Sequence, residues 1–201
     1  MQLSAPRIEA SPPASATHLI RPVRHDDEIG LQHFIRNLSA ASRYARFMMA
    51  IRELPDYMLA RFIHPLPETE AVLVATSPFG RITGLGQYVR DDSGNGCEVA
   101  VVVSDVWQRQ GLGTRLLQAV LNIARDSGLT HFHAQVLADN YPMRALARKL
   151  GCETRMNAQA GFLAQISATI GSASDVRFDV AEPVAYNYHY ANGVAGPPVV
   201  R

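Results

Sequence analysis

Only two cysteines, Cys97 and Cys152, occur in 201 residues. That is too few for the disulfide framework of a small secreted domain, and the pair lacks the ligand spacing of a structural zinc site. A reducing, cytoplasmic setting is expected. Charge of one sign is also missing: 19 Lys plus Arg against 18 Asp plus Glu leave a formal charge of +1. No bulk field then draws nucleic acid or anionic lipid, and any phosphate recognition has to be built locally. Neither a nucleic acid nor a membrane is expected as a partner. The stretch 157–174 holds no charged residue, yet Asn157, Gln159 and Gln165 among its Ser, Thr and Gly make it too polar to span lipid. Residues 1–17 mix Arg7 and Glu9 with Ala, Ser and Pro and contain no signal-peptide core.

What is present is a globular composition, 47% hydrophobic. Residues 1–17 are expected to form a disordered tail, 18–185 a single domain and 186–201 a C-terminal extension. Leu19 to Val23 suggest an edge strand, since a strand bearing Pro22 need not donate every ladder bond. Apolar residues at helical spacing follow from Asp26 to Leu38 and from Ser39 to Ile51, and Pro55 can open a short helix through Phe62. The texture then alternates as strands over Ala71–Ala75, Ile82–Val89 and Cys97–Val103, separated by turn chemistry, which makes an antiparallel meander. A helix over Gly111–Arg125, a strand over Thr130–Leu137 and an Asn140-capped helix ending at Gly151 complete the pattern. The fold class is therefore α/β (α+β), a mixed central sheet with helices on both faces.

The segment Cys97 to Arg115 carries the chemistry. It joins a Val-rich strand to a helix N-terminus through Gln108-Arg109-Gln110-Gly111-Leu112-Gly113-Thr114. Gly111 and Gly113 remove side chains at the turn, so successive amides can face an anion while the helix dipole adds favourable potential, a geometry that suits a pyrophosphate. Arg109 and Arg115 lie near enough in sequence to add local positive charge. A nucleotide P-loop is excluded because Gly113 is followed by Thr114-Arg115, not Lys-Ser or Lys-Thr. A dinucleotide fingerprint is excluded because its third glycine position is Leu116.

Gln108-x-x-Gly111-x-Gly113 after a Val-rich strand resembles the acetyl-CoA motif of the GNAT family of N-acetyltransferases. The resemblance covers most of residues 18–156 and extends to Lys149-Leu150-Gly151-Cys152 after the Asn140 helix. Ile20-Arg21-Pro22-Val23, Ser39-x-x-Ser42-x-Tyr44-x-Arg46-Phe47 and Glu98 to Val103 resemble the catalytic domain of bacterial protein lysine acetyltransferases. This resemblance implies that the meander leads into a parallel strand pair that splays apart to admit pantetheine. It implies acetyl-CoA as cosubstrate, with Val101, Val102 and Val103 offering backbone groups to pantetheine. Gln108, Arg109, Gln110, Gly111, Leu112, Gly113 and Thr114 would wrap the pyrophosphate, and Asn140 would lie beside the cofactor.

An alkyl ammonium must lose a proton before it attacks a thioester, and the resemblance makes Glu98 the general base. The acceptor it implies is a primary amine, by preference a protein lysine. The family's usual general acid, a tyrosine four residues before Gly151, is replaced by Ala147. Solvent or one of Tyr186, Tyr188 and Tyr190 could substitute, and a domain that binds acyl-CoA without turnover remains the alternative. Tyr44, Phe47 and Met48 could line an acceptor pocket or fill the core, and Trp107 is expected to pack under the loop. His131 and His133 read as structural histidines and no metal is expected. Cys97 and Cys152 read as buried, inert thiols. The uncharged stretch 157–174 reads as an insertion that could cover a dimer partner, close over the acceptor or move freely, with the final strand over Asp175–Val180.

Overall fold

The computed structural model describes residues 18–158 and 160–171. Its centre is one seven-stranded sheet in the order β1-β2-β3-β4-β5-β7-β6. The strands are β1 Leu19–Pro22, β2 Glu70–Thr76, β3 Ile82–Arg90, β4 Gly96–Val103, β5 His131–Leu137, β6 Glu153–Met156 and β7 Leu163–Thr169. Every neighbouring pair is antiparallel except β4 with β5. The Pro22 strand does lie at an edge, where its missing N–H breaks no inner ladder.

Among the described residues, five α-helices flank the sheet: α1 Glu28–Asn37, α2 Ala40–Phe47, α3 Asp56–Ile63, α4 Leu112–Asp126 and α5 Tyr141–Lys149. The period-2 alternation of the strands sorts their side chains between two cores. Leu73, Tyr88, Val99 and Val103 meet Leu116, Val120 and Ile123 of α4 on one face. Val72, Val74, Leu85 and Val102 meet Leu31, Phe34, Phe47 and Phe62 of α1, α2 and α3 on the other. Contact with α4 is close enough to need glycine: a Cβ on Gly86 of β3 would sit 2.8 Å from Val120 Cγ2. Alternation therefore decides that Glu98, Ala100 and Val102 face α1–α3 while Cys97, Val99 and Val103 face α4.

Two expectations need correction. The helix expected through Ile51 stops at Phe47, because Met48 turns left-handed (φ 52°) and its N–H closes on Tyr44 O. The stretch expected as an insertion holds a strand among its described residues. It contributes β7, which pairs β5 along its whole length and carries β6 on its outer side. Ala164 and Ile166 of β7 pack with Ala134, Val136 and Ala147, while Gln165 between them points away. The tail 1–17, the strand expected over 175–180, the boundary at 185 and Tyr186, Tyr188 and Tyr190 lie outside the described residues. Among the described residues, no helix is long and apolar enough to cross a membrane.

Candidate active site

The parallel ladder between β4 and β5 has three rungs, Gly96 with His131, Cys97 with Phe132 and Glu98 with His133, and then ends. Beyond Glu98, β4 stays bonded to β3 through Val103 while β5 follows β7 through Leu137. The strands part because each keeps its antiparallel partner. A cleft of about 1400 Å³ opens between Val99–Val103 and Ala134–Leu137.

At the cleft's mouth, Gly111 adopts φ +84° as the N-cap of α4, a left-handed geometry in which a side chain is strained. Arg115 N donates to Gly111 O at 3.0 Å and begins the helical ladder. The N–H groups of Gly111, Leu112, Gly113 and Thr114 find no acceptor among the described residues. Four free amides at the positive end of a 15-residue helix make an anion cradle. Arg109 is exposed beside them and makes no ion pair among the described residues. Arg115 does not line the cleft: its Nη2 donates to His18 O at 3.0 Å, on the first strand's approach.

Val101, Val102, Val103, Gln108, Arg109, Gly111, Gly113, Thr114 and Asn140 all line this cleft. Gln110 and Leu112 do not. The Gln110 amide donates to Val106 O at 2.8 Å, and Leu112 is buried in the α4 core. Gln108 acts as a clamp, its Nε2 donating to Val103 O and to Ser42 Oγ, each at 3.0 Å. Asn140 lines the cleft while its Oδ1 accepts from Met143 N at 3.2 Å and caps α5. Trp107 is buried against the α4 core, with its ring 4.3 Å from that of His18 in an edge-on arrangement.

The serines of the Ser39-x-x-Ser42 motif gain a physical task. Ser39 caps α2 by accepting from Ser42 N at 3.1 Å. Asp105 accepts from Ser39 N at 2.8 Å and from Ser39 Oγ and Ser42 Oγ at 2.7 Å each. Burial alone would raise the Asp105 carboxyl, but these donors offset it and hold the group below its ordinary range. The helix that carries Tyr44 and Arg46 is thereby tied to the glycine loop.

Glu98 does not line the main cleft. It lines a side cavity of about 130 Å³ with Arg46, Gln87, Val89 and Ala100, and Arg46 and Ala100 line both spaces. Arg46 and Ala100 are thus walls common to both spaces. Tyr44, Phe47 and Met48 divide: Tyr44 lines the cleft, Phe47 is in the core and Met48 ends the helix. Tyr141 and Phe162 also line the cleft, and sequence reasoning missed both. Ala147 is buried among Ala134, Val136, Ala164 and Ile166, so its helix presents no hydroxyl there.

Cys97 and Cys152 are unpaired, with Cys97 buried and Cys152 half-buried. Burial pushes the Cys97 thiol up to about 12 and raises that of Cys152. His133 Nδ1 lies 3.8 Å from Asp91 Oδ2, and His131 Nδ1 lies 2.8 Å from Thr130 Oγ1. Among the described residues, no three His, Cys, Asp or Glu side chains cluster as a metal site.

The Acetyltransferase (GNAT) family model matches residues 35–152. This chain belongs to the GNAT family. It is accordingly an acetyl-CoA-dependent N-acetyltransferase. It is 29% identical over 136 residues to Acetyltransferase PA5475 of Pseudomonas aeruginosa, covering 66% of this chain and 73% of that relative. It is 34% identical over 135 residues to Acetyltransferase Pat of Mycolicibacterium smegmatis, covering 66% of this chain but 40% of the relative, so it spans less than half of Pat. Among solved structures, the GNAT domain of S. lividans PAT superposes with a TM-score of 0.70 at 24% identity, covering 79% of this chain and 98% of that one. The yncA acetyltransferase of Salmonella typhimurium, solved with its cofactor acetyl-CoA, gives 0.63 at 20% identity, covering 85% and 99%. Both likenesses establish a common fold.

Proposed function

We propose that this GNAT enzyme acetylates a primary amine, a protein lysine side chain, by direct attack with Glu98 as general base. The observation that carries the reading is a pair of spaces walled in common by Arg46 and Ala100: a cleft with free loop amides at its mouth, and a side cavity lined by the Glu98 carboxylate. The lysine preference is supported by the motif resemblance in 20–103. The catalytic unit is assigned to residues 18–185. The cytoplasm is assigned as its setting because both thiols are free.

Acetyl-CoA supplies an activated acyl thioester. In this reading the amides of Gly111 to Thr114 hold its pyrophosphate, with Gln108, Arg109 and Asn140 around them, and backbone groups of Val101, Val102 and Val103 bond the pantetheine. Glu98 takes one proton from the incoming ammonium, directly or through water in the side cavity, so that the nitrogen lone pair can form the new C–N bond. Backbone N–H groups near Val101 donate to the carbonyl oxygen as it gains charge, the acylated nitrogen gives up its second proton to solvent, the C–S bond breaks and the thiolate takes a proton. With Ala147 in the usual position of the acid, that last proton comes from solvent or from Tyr44 or Tyr141 at the cleft.

Thiol release from acetyl-CoA, measured with a panel of amines including lysine peptides, tests this. Glu98→Gln should lower turnover about a hundredfold or more at pH 7 while leaving CoA binding intact. Unchanged turnover and pH dependence in that variant would remove Glu98 as the base. Mapping of acetylated lysines after incubation with a cell lysate tests the acceptor, and modification of small amines alone would exclude a protein substrate.

A further inference from the structure

Beside Glu98, the α1–α3 face of the sheet carries a polar chain that the reaction above leaves without a task. Glu70 of β2 is 3% exposed. Its carboxylate accepts from Arg61 Nε at 3.3 Å, from Leu66 N at 3.3 Å and from Gln87 Nε2 at 3.2 Å. Because the amide nitrogen of Gln87 faces that carboxylate, its Oε1 is turned the other way, and there it accepts from Arg46 Nη2 at 3.1 Å. The Arg46 guanidinium also lies over the rings of Phe47 and Phe62, 5.0 and 5.7 Å from their centroids. It is therefore held from several sides.

Across the side cavity from this held cation stands Glu98. The two make no direct ion pair, and Glu98 accepts no hydrogen bond among the described residues. Glu98 is exposed on its strand, so a carboxylate there has several rotamers open to it. Arg46 is the cation that lines the same cavity, and the attraction between them acts across a space large enough for several waters. Ordinary core packing would not explain a charged side chain here, since burial draws the Arg46 guanidinium down to about 10 and its buried Nε has no acceptor among the described residues.

We propose that Arg46, fixed by the Glu70–Gln87 pair and the Phe47 and Phe62 rings, is a positioning residue that holds the Glu98 carboxylate toward the amine entering through the cleft. The inference rests on the assignment of Glu98 as base. It gives the Arg46-Phe47 end of the motif a role in proton transfer, separate from the loop tether made by Ser39 and Ser42.

A double-mutant cycle on the full chain tests it, read as thiol release from acetyl-CoA with an Nα-blocked lysine peptide as the probe amine. Arg46→Met should lower kcat about tenfold and leave KM for acetyl-CoA within about twofold. Arg46→Lys, which keeps the cation, should recover most of that loss. Added to Glu98→Gln, Arg46→Met should lower kcat no further, because the group it positions has gone. Gln87→Leu frees Arg46 without removing its charge and should show a smaller loss with the same dependence on Glu98. It serves as the second probe should Arg46→Met fail to fold. Equal losses from Arg46→Met or Gln87→Leu in both backgrounds would overturn the inference while leaving the base assignment standing. A Glu98→Gln single variant with wild-type kcat, or a wild type inert toward the peptide, would overturn the base or the acceptor assignment first and this inference with it.

Discussion

Ser42 Oγ donates to Asp105 Oδ1 at 2.7 Å across 63 positions of sequence. The same hydroxyl accepts from Gln108 Nε2, whose amide also holds Val103 O. Strand β4, the glycine loop and the start of α2 are thereby one hydrogen-bonded unit, so the acceptor side of the cleft is registered against the cofactor side. Asp105→Ala removes the three bonds made by Ser39 and Ser42 to that carboxylate. At roughly 1 kcal/mol each, discounted for exposure, their loss should weaken CoA binding about five- to tenfold, and Ser42→Ala about threefold. Isothermal calorimetry with CoA reads both, and wild-type affinity in Asp105→Ala would reduce the network to surface decoration.

Gly111 has to be glycine for its backbone and not for space. Its φ is +84°, yet a Cβ there would meet nothing within 4 Å. Gly111→Ala should therefore fold, with a stability loss of about 1 kcal/mol, while moving the amides that start α4. CoA affinity should fall at least about tenfold by calorimetry, and Gly111→Trp should abolish binding by filling the cradle. A Gly111→Ala protein that binds CoA like the wild type would place the pyrophosphate elsewhere.

Much of this was legible in the sequence because its signals are local. The Asn140 cap, the Gly111 turn and the alternation of β4 depend on neighbours a few residues away. What was not legible depends on partners far off. β7 was hidden because its outward residues Gln165, Ser167 and Thr169 are polar but uncharged, so an alternating strand reads as a featureless polar run. Its pairing with β5 is visible only in the assembled sheet. Arg46 reads as one more charge on a helix until Gln87 and Glu70 arrive from β3 and β2. Arg115, near the glycines in sequence, turns to His18 because one helical step rotates it off the loop.

Gly86 is the reverse of Gly111, required for space. A Cβ at this position would lie 2.8 Å from Val120 Cγ2 and 3.1 Å from Leu116 Cγ, on the face where α4 is pressed against β3. Gly86→Ala should destabilise the protein by about 1–3 kcal/mol, since a close-packed core has no room for an added methyl. Val120→Ala empties the site of the clash, so the double variant should recover part of the loss in urea denaturation. Two losses that simply add would show that the strain comes from the backbone and not from the α4 contact.

Asp27 links the start of α1 to β1. Its oxygens accept from Arg21 Nη1 at 2.6 Å and Nη2 at 2.7 Å, and from Arg24 N at 2.8 Å. Burial of this side chain, 8% exposed, would raise its carboxyl, but Arg21 and the Arg24 amide more than offset that and hold it below the ordinary value near 3.8. The Arg21 guanidinium is raised in turn, chiefly by its bonds to Asp27, and stays charged throughout. A depressed carboxyl favours the folded state wherever it is ionised in both states, so its contribution is complete above about pH 5. It is lost as the pH falls below about 4 and through the lower folded value. Asp27→Asn should therefore lower stability by about 2 kcal/mol at pH 7. The gap between variant and wild type should narrow steadily between about pH 4 and pH 2 in urea denaturation. A gap that stays constant to the acid end would mean that the bidentate pair contributes through shape alone.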